Sequence, residues 1–459
     1  MHSPNSQTVR VGIVGGGPGG MFTAYHLQRR AGAPLHTTIF EASPRIGGKI
    51  VTKRFARTAA NYEAGAAELY DYSATGEDAL RELVAELGLP TTPMRGSAVV
   101  VRNRVLSNLD DVRAHLGPVA REQVEAFDRW ARDRVSPQEF YQSDDGTGCG
   151  EPQPGFCYVL ERITDPCARR YIEALIHSDL ATEPSETNAT YGLHNYVMNA
   201  PGYMQLYSIS GGNERLIHEL AARTRAEVLT EHRAVRVGRT PNGELSVTAA
   251  HTGGETTRAF DYLVIALPNS YLPGIAFEDP KLAEAVRAHH DHHDHPAHYL
   301  RVTALFDRPF WRGAWDDSYC MLDAFGGCCL YDESSREPGA THFALGWLLG
   351  GKAALEHSAM TDSELIEAVL TALPPVLAPN GARVLEAHVH RWVGSVSALP
   401  GGAVPRAQDR RHRPEPDGHP NLYFVGDYLF DSTLNGVLDS AAYSAEGIAE
   451  HMARTGRPV

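Results

Sequence analysis

Three glycines, Gly15, Gly17 and Gly20, followed by an acid at Glu41, have the spacing of a turn that cradles phosphate. A short apolar run (Val9, Val11, Ile13, Val14) precedes them and a helical stretch from Met21 to Arg30 follows. Gly15 permits the tight turn, Gly17 lets the backbone approach a pyrophosphate, and Gly20 lets the helix pack closely on the strand. The start of that helix offers unpaired N–H groups and the positive end of its dipole. A second apolar strand, Thr37 to Phe40, ends on Glu41, whose carboxylate can accept hydrogen bonds from an adenosine ribose. A glycine trio alone is common in turns. Strand, glycines, helix, second strand and acid at this spacing specify a dinucleotide-binding unit.

A second glycine loop follows at once, in the run Glu41-Ala42-Ser43-Pro44-Arg45-Ile46-Gly47-Gly48-Lys49. Arg45 can supply charge-assisted hydrogen bonds to a pyrophosphate, and Gly47 and Gly48 allow backbone approach. A flavin dinucleotide needs such a second loop, so the pair of loops points to FAD rather than NAD.

With these loops in place the chain resembles the flavin-containing amine oxidase family, whose relatives include protoporphyrinogen oxidases and phytoene desaturases. Further matches run along the sequence: Asn61 to Ala66 to the segment that passes the flavin ring, Gly211 to Leu216 to the helix start of the middle piece, and Tyr262 to Pro268 to a strand ending in Ala-x-Pro. Near the end, Tyr423 to Asp427 resembles the terminal flavin motif and Asn435 to Ala441 the turn and helix start under the flavin pyrimidine. The resemblance implies cofactor contacts at Gly15, Gly17, Gly20, Glu41, Arg45, Gly47, Gly48, Lys49, Gly426, Asp427, Gly436, Val437 and Leu438, with the backbone at Val235 holding the adenine. It implies a Rossmann-like α/β FAD-binding domain built from discontinuous segments, 1–75, 205–270 and 415–459. An α+β substrate domain with a helical part is expected over 76–204 and 271–414. No cysteine lies between Val393 and Gly426, where some relatives attach flavin, so FAD is expected to be non-covalent.

Departures from the family pattern bear on the substrate. Anchoring on Asp307-Arg308-Pro309-Phe310-Trp311 places Arg301 where many members carry a lysine that contacts flavin N5 through water. Arginine cannot deprotonate as lysine does. It is read either as a charge that steadies reduced flavin or binds a substrate carboxylate, or as the partner of a structural acid. Val437 stands where monoamine oxidases carry a tyrosine of the aromatic cage. Tyr203, Tyr207 and Trp347 join Arg301 as expected substrate contacts, against the alternative of ordinary core packing. The resemblance implies FAD-dependent hydride removal from a small amine or amino acid, with imine hydrolysis and O2 as acceptor. The alternatives are oxidation of C–C bonds in an apolar or natural-product substrate, and a non-catalytic binding protein on the same fold.

His289 to His298 holds six histidines and two acids, which suggests a metal site. The run is contiguous and broken by Pro296, whereas metal ligands usually sit at i, i+4 or across elements, so a solvated loop is expected and no metal. His295 and His298 are placed near a substrate entrance.

Length alone suggests about two or three domains. A formal net charge of -14 excludes a phosphate-neutralising surface and hence a nucleic-acid partner. The most apolar stretches fall well short of the ~20 residues a spanning helix needs, and no signal peptide fits before Val9. Six cysteines without CxxC spacing read as free thiols in a reducing cytoplasm. A homodimer is left open.

Helices are expected over Leu80 to Leu87, Arg113 to Arg134, Arg169 to Leu180, Arg215 to Thr224 and Ser440 to Arg454. Strands are expected within Ala98 to Leu106, over Ala226 to Leu229, Ala234 to Val237, Leu245 to Ala249 and Tyr299 to Phe306. Asp144 to Gly155 reads as a loop and Arg406 to Pro420 as a charged, proline-containing linker.

Overall fold

The computed structural model describes residues 8–74, 76–142 and 152–455. Cys149 and the expected loop at Asp144–Gly155, up to residue 151, lie outside the described residues. Two compact units are each assembled from separated segments: Met1–Val51, Glu214–Asp294 and Arg406–Val459 form the first, Thr52–Asn213 and His295–Pro405 the second. These limits differ from the sequence reading, and strand pairing gives the reason. Thr52–Arg54 pairs with Asn61–Glu63, and Gln205–Ile209 pairs with both Leu69–Asp71 and Thr91–Met94. Those residues therefore pack with the second unit.

The first unit is built on a five-stranded parallel sheet, in the order Ala226–Leu229, Leu35–Phe40, Val9–Val14, Tyr262–Ile265, Leu422–Phe424. Its central strands are nearly continuous apolar runs because both faces are covered. A four-stranded sheet of Gly254–Phe260, Leu245–His251, Arg233–Arg239 and Ala276–Phe277 lies beside it. One core joins Val14, Phe40, Val237, Leu263 and Phe424 with Leu282 and Val286. The helix Pro18–Arg30 starts on Gly17 with Pro18 in its first turn and ends on Arg29 and Arg30. Proline is preorganised for that first position, and the cations complement the C-terminal dipole.

The His-rich run is not a loop. Pro280–His293 is a helix, capped by Asp279, whose Oδ1 accepts the N–H of Leu282 at 2.9 Å. His289 is completely buried on it. The strand that follows begins at Pro296. Arg406 to Pro420 is likewise more than a linker: it carries the short helix Gln408–His412, and His412 is buried.

The second unit contains a seven-stranded sheet, in the order Val384–Ser397, Pro296–Phe306, Phe343–Gly350, Cys328–Asp332, Tyr319–Leu322, Val99–Val101, Arg104–Leu106. Side chains alternate between its faces. Leu300, Val302, Leu330, Trp347 and Leu349 join Trp311, Leu365 and Val369 in one core. On the opposite face Cys329 and Tyr331 pack with a helical layer that includes Val124, Phe127, Ile172 and Tyr196. The turn between the two short strands at Val99 and Leu106 has positive φ at Arg102 (50°) and Asn103 (64°), as a type I′ hairpin requires. The helix expected over Arg113 to Arg134 is two helices, Leu109–Leu116 and Pro118–Arg134. Gly117, at φ 103°, and Pro118 break the run, because proline cannot donate the N–H a continuous helix needs.

Candidate functional site

The three glycine positions of the first loop are enforced sterically. Gly15 has φ 111°, and a Cβ there would meet the carbonyl oxygen of Ala266 at 2.4 Å. A Cβ on Gly20 would lie 2.0 Å from the carbonyl oxygen of Gly15. Gly17 is the open position, with only Gly48 near its missing side chain. Both Glu41 oxygens are used locally: Oε2 accepts the N–H of Gly16 and Oε1 that of Ser43, each at 2.8 Å. Each keeps a further lone pair, so a ribose hydroxyl can still be bound.

The second loop folds against the first. The N–H of Gly47 donates to Gly16 O at 2.8 Å, and Gly47 and Gly48 have φ of 112° and 53°. The Arg45 guanidinium braces this loop from behind, donating to Ile46 O at 3.0 Å and Gly48 O at 2.5 Å and pairing with Glu214 at 3.2 Å. Lys49 reaches Asp427, Nζ to Oδ2, at 2.6 Å. A third segment closes the set. A Cβ on Gly19 would touch Val425 at 3.1 Å and Val437 at 3.6 Å, and Gly436 is held by Thr433 Oγ1 at 3.1 Å. Leu438 is buried beneath, in the helix Leu434–Thr455. Residues 15–20, 41–49 and 425–438, far apart in sequence, thus form one surface within the first unit. Val235 falls at a β-bulge between Ala234 and Arg236, so it takes no place in the strand ladder.

These features fit FAD. Two glycine turns approach each other where a pyrophosphate would lie, the helix start supplies N–H donors, and Asp427 is aimed by a lysine.

In the second unit Arg301 is completely buried, and its Nη2 donates to Glu333. Glu333 also accepts from Arg336 Nε at 2.7 Å, and the Arg301 guanidinium lies 4.9 Å from the Tyr331 ring centroid. Burial alone would raise the Glu333 carboxyl, but the charges of Arg336 and Arg301 outweigh it and hold the group below its ordinary value. Arg301 is therefore the partner of a buried acid. Gly346 makes room for this arrangement, since a Cβ there would meet Glu333 Oε1 at 2.4 Å. Among the described residues Nε and Nη1 of Arg301 have no hydrogen-bond partner.

The expected substrate aromatics do not gather around Arg301. Trp347 points to the other face of the sheet, into the apolar core with Trp311. Tyr203 donates to Val135 O at 2.7 Å within the helical layer. The Tyr207 ring lies 4.3 Å under the Arg81 guanidinium. His298 holds the N–H of Gly394 at 3.0 Å.

Residues that sequence reasoning missed stand on the Arg301 face instead. The Tyr331 hydroxyl donates to Glu68 at 2.8 Å, and the Tyr299 hydroxyl to Asp179 O at 3.2 Å. Tyr62, in the segment matched to the flavin-passing strand, stacks on His388 at 5.4 Å and bonds His390 at 3.3 Å. Burial, with the Arg301 charge beside it, lowers His390 to about 4. Burial raises Glu63 to about 7 although Asn213 and Thr52 donate to it. Only the alternation of the Tyr299 and Tyr331 strands could have signalled that these side chains share a face.

Among the described residues no helix is long and apolar enough to cross a membrane. The five described cysteines are unbridged.

Residues 18–451 match the model of the flavin containing amine oxidoreductase family. AofH of Mycobacterium tuberculosis, a protein named as a flavin-containing monoamine oxidase, is 25% identical over 433 residues, covering 87% of this chain and 86% of that protein. Mouse prenylcysteine oxidase 1 is 31% identical over 100 residues, 22% of this chain and 18% of its own. The structure of cyclohexylamine oxidase from Brevibacterium oxydans superposes with a TM-score of 0.74 at 22% identity, over 97% of this chain and 100% of the other. Putrescine oxidase bound to putrescine gives 0.74 at 17% identity, over the same shares. At these identities the structures speak for the fold alone, a Rossmann-like α/β FAD domain with a second, α+β domain. The family match spans nearly the whole chain, from Pro18 in the first glycine turn through Arg45–Lys49 to beyond Gly426–Asp427. The chain belongs to the flavin containing amine oxidoreductase family and is an FAD-dependent oxidoreductase.

Proposed function

We propose that the enzyme oxidises the C–N bond of a small cationic amine or amino acid, giving an imine that water hydrolyses, with O2 as the electron acceptor. One observation carries the choice of an amine. Glu68, Tyr70, Asp179, Tyr299 and Tyr319 all keep some accessible surface although protein encloses each of them. The charges of Glu68 and Asp179 act on Tyr70, Tyr299 and Tyr319, so the five stand close together in the second unit. Aromatic rings and carboxylates attract an ammonium group by cation–π and ion-pair interactions. A polyene would leave the same carboxyl groups desolvated with no cation beside them.

Bound FAD supplies the two-electron acceptor for this chemistry. The chain's own residues supply the rest. The tyrosine rings orient the substrate, and Asp179, raised to about 8 by burial and then by the charge of Glu68, ionises beside an ammonium group and pairs with its charge. Enclosure keeps water from competing until the imine leaves.

Oxidation of a C–C bond is the second reading, supported by the aliphatic Val437 at the cage position. Anaerobic mixing of the oxidised enzyme with a panel of amines, amino acids and polyenes separates the two. Bleaching of the flavin band by amines or amino acids, with ammonia formed, supports the first. Bleaching by polyenes alone replaces it with the second.

A further inference from the structure

Two stretches set aside as a solvated loop and a linker pack behind the same turn of the first unit. Gly426, Asp427 and Tyr428 form that turn. Its N–H at Gly426 donates to Ser440 Oγ at 3.2 Å, and Ser440 Oγ lies 3.0 Å from His412 Nε2. His412 and Ser440 are both completely buried. His412 Nδ1 is 2.8 Å from Gln408 O.

The directions of these bonds follow from chemistry. A carbonyl only accepts, so Nδ1 must carry the proton and donate to Gln408. Nε2 of the neutral ring is then an acceptor, and takes the Ser440 hydroxyl hydrogen. Ser440 is left with lone pairs, one of which receives the Gly426 N–H. Burial lowers His412 to about 4, which keeps this neutral form at ordinary pH. Phe430 and Tyr443 flank the ring at 5.3 and 4.5 Å.

The His-rich helix backs the other side of the turn. His289 Nε2 is 3.4 Å from the Tyr428 hydroxyl, and its ring lies 5.1 Å from Phe424. His293 packs on Tyr428 at 5.2 Å. Gly426 itself cannot adapt, because a Cβ there would meet the Tyr428 ring at 2.5 Å. The next residue, Asp427, carries the bond to Lys49.

We propose that His412 and Ser440 are positioning residues for the cofactor: they hold the Gly426 N–H, and so aim Asp427 and set how tightly the enzyme retains FAD. The proposal rests on the reading that the Gly426–Asp427 turn meets FAD. It gives the Arg406–Pro420 segment a task in cofactor retention.

The test is a fluorescence titration of the full-length, deflavinated chain with FAD, beside thermal unfolding of the same apoproteins. Ser440→Ala and His412→Leu should each raise the FAD Kd roughly five- to tenfold, the size of one lost hydrogen bond. The double variant should be little weaker than either single, because the two residues act in series. Ser440→Thr, which keeps the hydroxyl, and His412→Gln, which keeps an acceptor, should regain most of the affinity. A merely structural role would lower the unfolding midpoint without this hydroxyl-dependent pattern in Kd. If Asp427→Asn weakens FAD while Ser440→Ala does not, the relay is wrong although the turn reading stands. If Asp427→Asn has no effect either, the turn reading fails and the proposal falls with it.

Discussion

The Nζ of Lys49 lies 2.6 Å from Oδ2 of Asp427, a bond that ties the second glycine loop to the last strand's turn across 378 positions of chain. Neither side chain is fully exposed, at 28% and 10%. The pair is thus partly protected from solvent screening, but not buried as a core ion pair would be. Asp427→Asn keeps the shape and removes the charge, leaving Lys49 facing an amide. FAD affinity should fall about tenfold, in line with one charge-assisted hydrogen bond, with the apoprotein's unfolding midpoint little changed. Equilibrium dialysis of FAD against the variant measures it. An unchanged Kd would remove Asp427 from the cofactor surface.

The glycines make a sharper prediction. In Gly20→Ala the new methyl would sit 2.0 Å from a backbone oxygen of Gly15, which has no free rotation to escape. Destabilisation of about 3 kcal/mol or more is expected, with FAD content lost. Gly32→Ala is the control: nothing lies within 4 Å of its position. That substitution should stay within about 0.5 kcal/mol of the parent. Thermal unfolding and the flavin-to-protein absorbance ratio of the two purified variants decide the matter.

These contrasts show what sequence could and could not reveal. The Val9–Glu41 unit was legible because its signals are local: a strand, glycines at fixed offsets and a helix start all lie within one βαβ element. The hairpin at Arg102-Asn103 was legible for the same reason. The helical start of the His289–His298 run was not legible although Asp279-Pro280 is a proper capping signal, because contiguous histidines carry no apolar periodicity and the cap lies well upstream of them. Arg301 shows the harder limit. Its strand was recognised, and its charge demanded a partner. Which acid answers it depends on the antiparallel register that places Leu348 between Arg301 and Cys329, and then on the turn that follows Asp332. No periodicity encodes such a pairing over 32 positions.

The Arg301–Glu333 pair should dominate the stability of the second unit's sheet. Both side chains are fully buried. Glu333→Gln leaves Arg301 and Arg336 without their shared carboxylate and should cost about 3–5 kcal/mol. Arg301→Met should cost less, because Arg336 still neutralises Glu333. The pH dependence follows from the lowered carboxyl. The folded state binds a proton on Glu333 less readily than the unfolded chain does, so the stabilisation is complete above the ordinary value of 4.5 and is lost as pH falls through the folded-state value. Unfolding midpoints measured from pH 7 down to 3 should show the parent losing ground to Glu333→Gln over the acid part of that range. Parallel curves for the two proteins would refute the assignment.

Asp179 has the opposite sign. Burial, then the charge of Glu68, lifts its carboxyl from 3.8 to about 8. The folded state therefore binds this proton more tightly than the unfolded chain. Its contribution to stability is fully present below about pH 4 and drains away as pH rises toward about 8. Asp179→Asn, which cannot ionise, should gain in unfolding midpoint over the parent at pH 8 to 9 and show little gain near pH 4. Its effect on turnover should run the other way. An ammonium group brought beside Asp179 favours the ionised carboxylate and supplies its countercharge, so the parent gains from the carboxylate when substrate is bound. Removing that charge should raise the KM for amines about tenfold, the worth of one charged hydrogen bond, while kcat stays within about twofold because the residue binds rather than reacts. Steady-state kinetics of the variant with a reactive amine checks this split. A fall in kcat with KM unchanged would assign Asp179 to the chemical step instead.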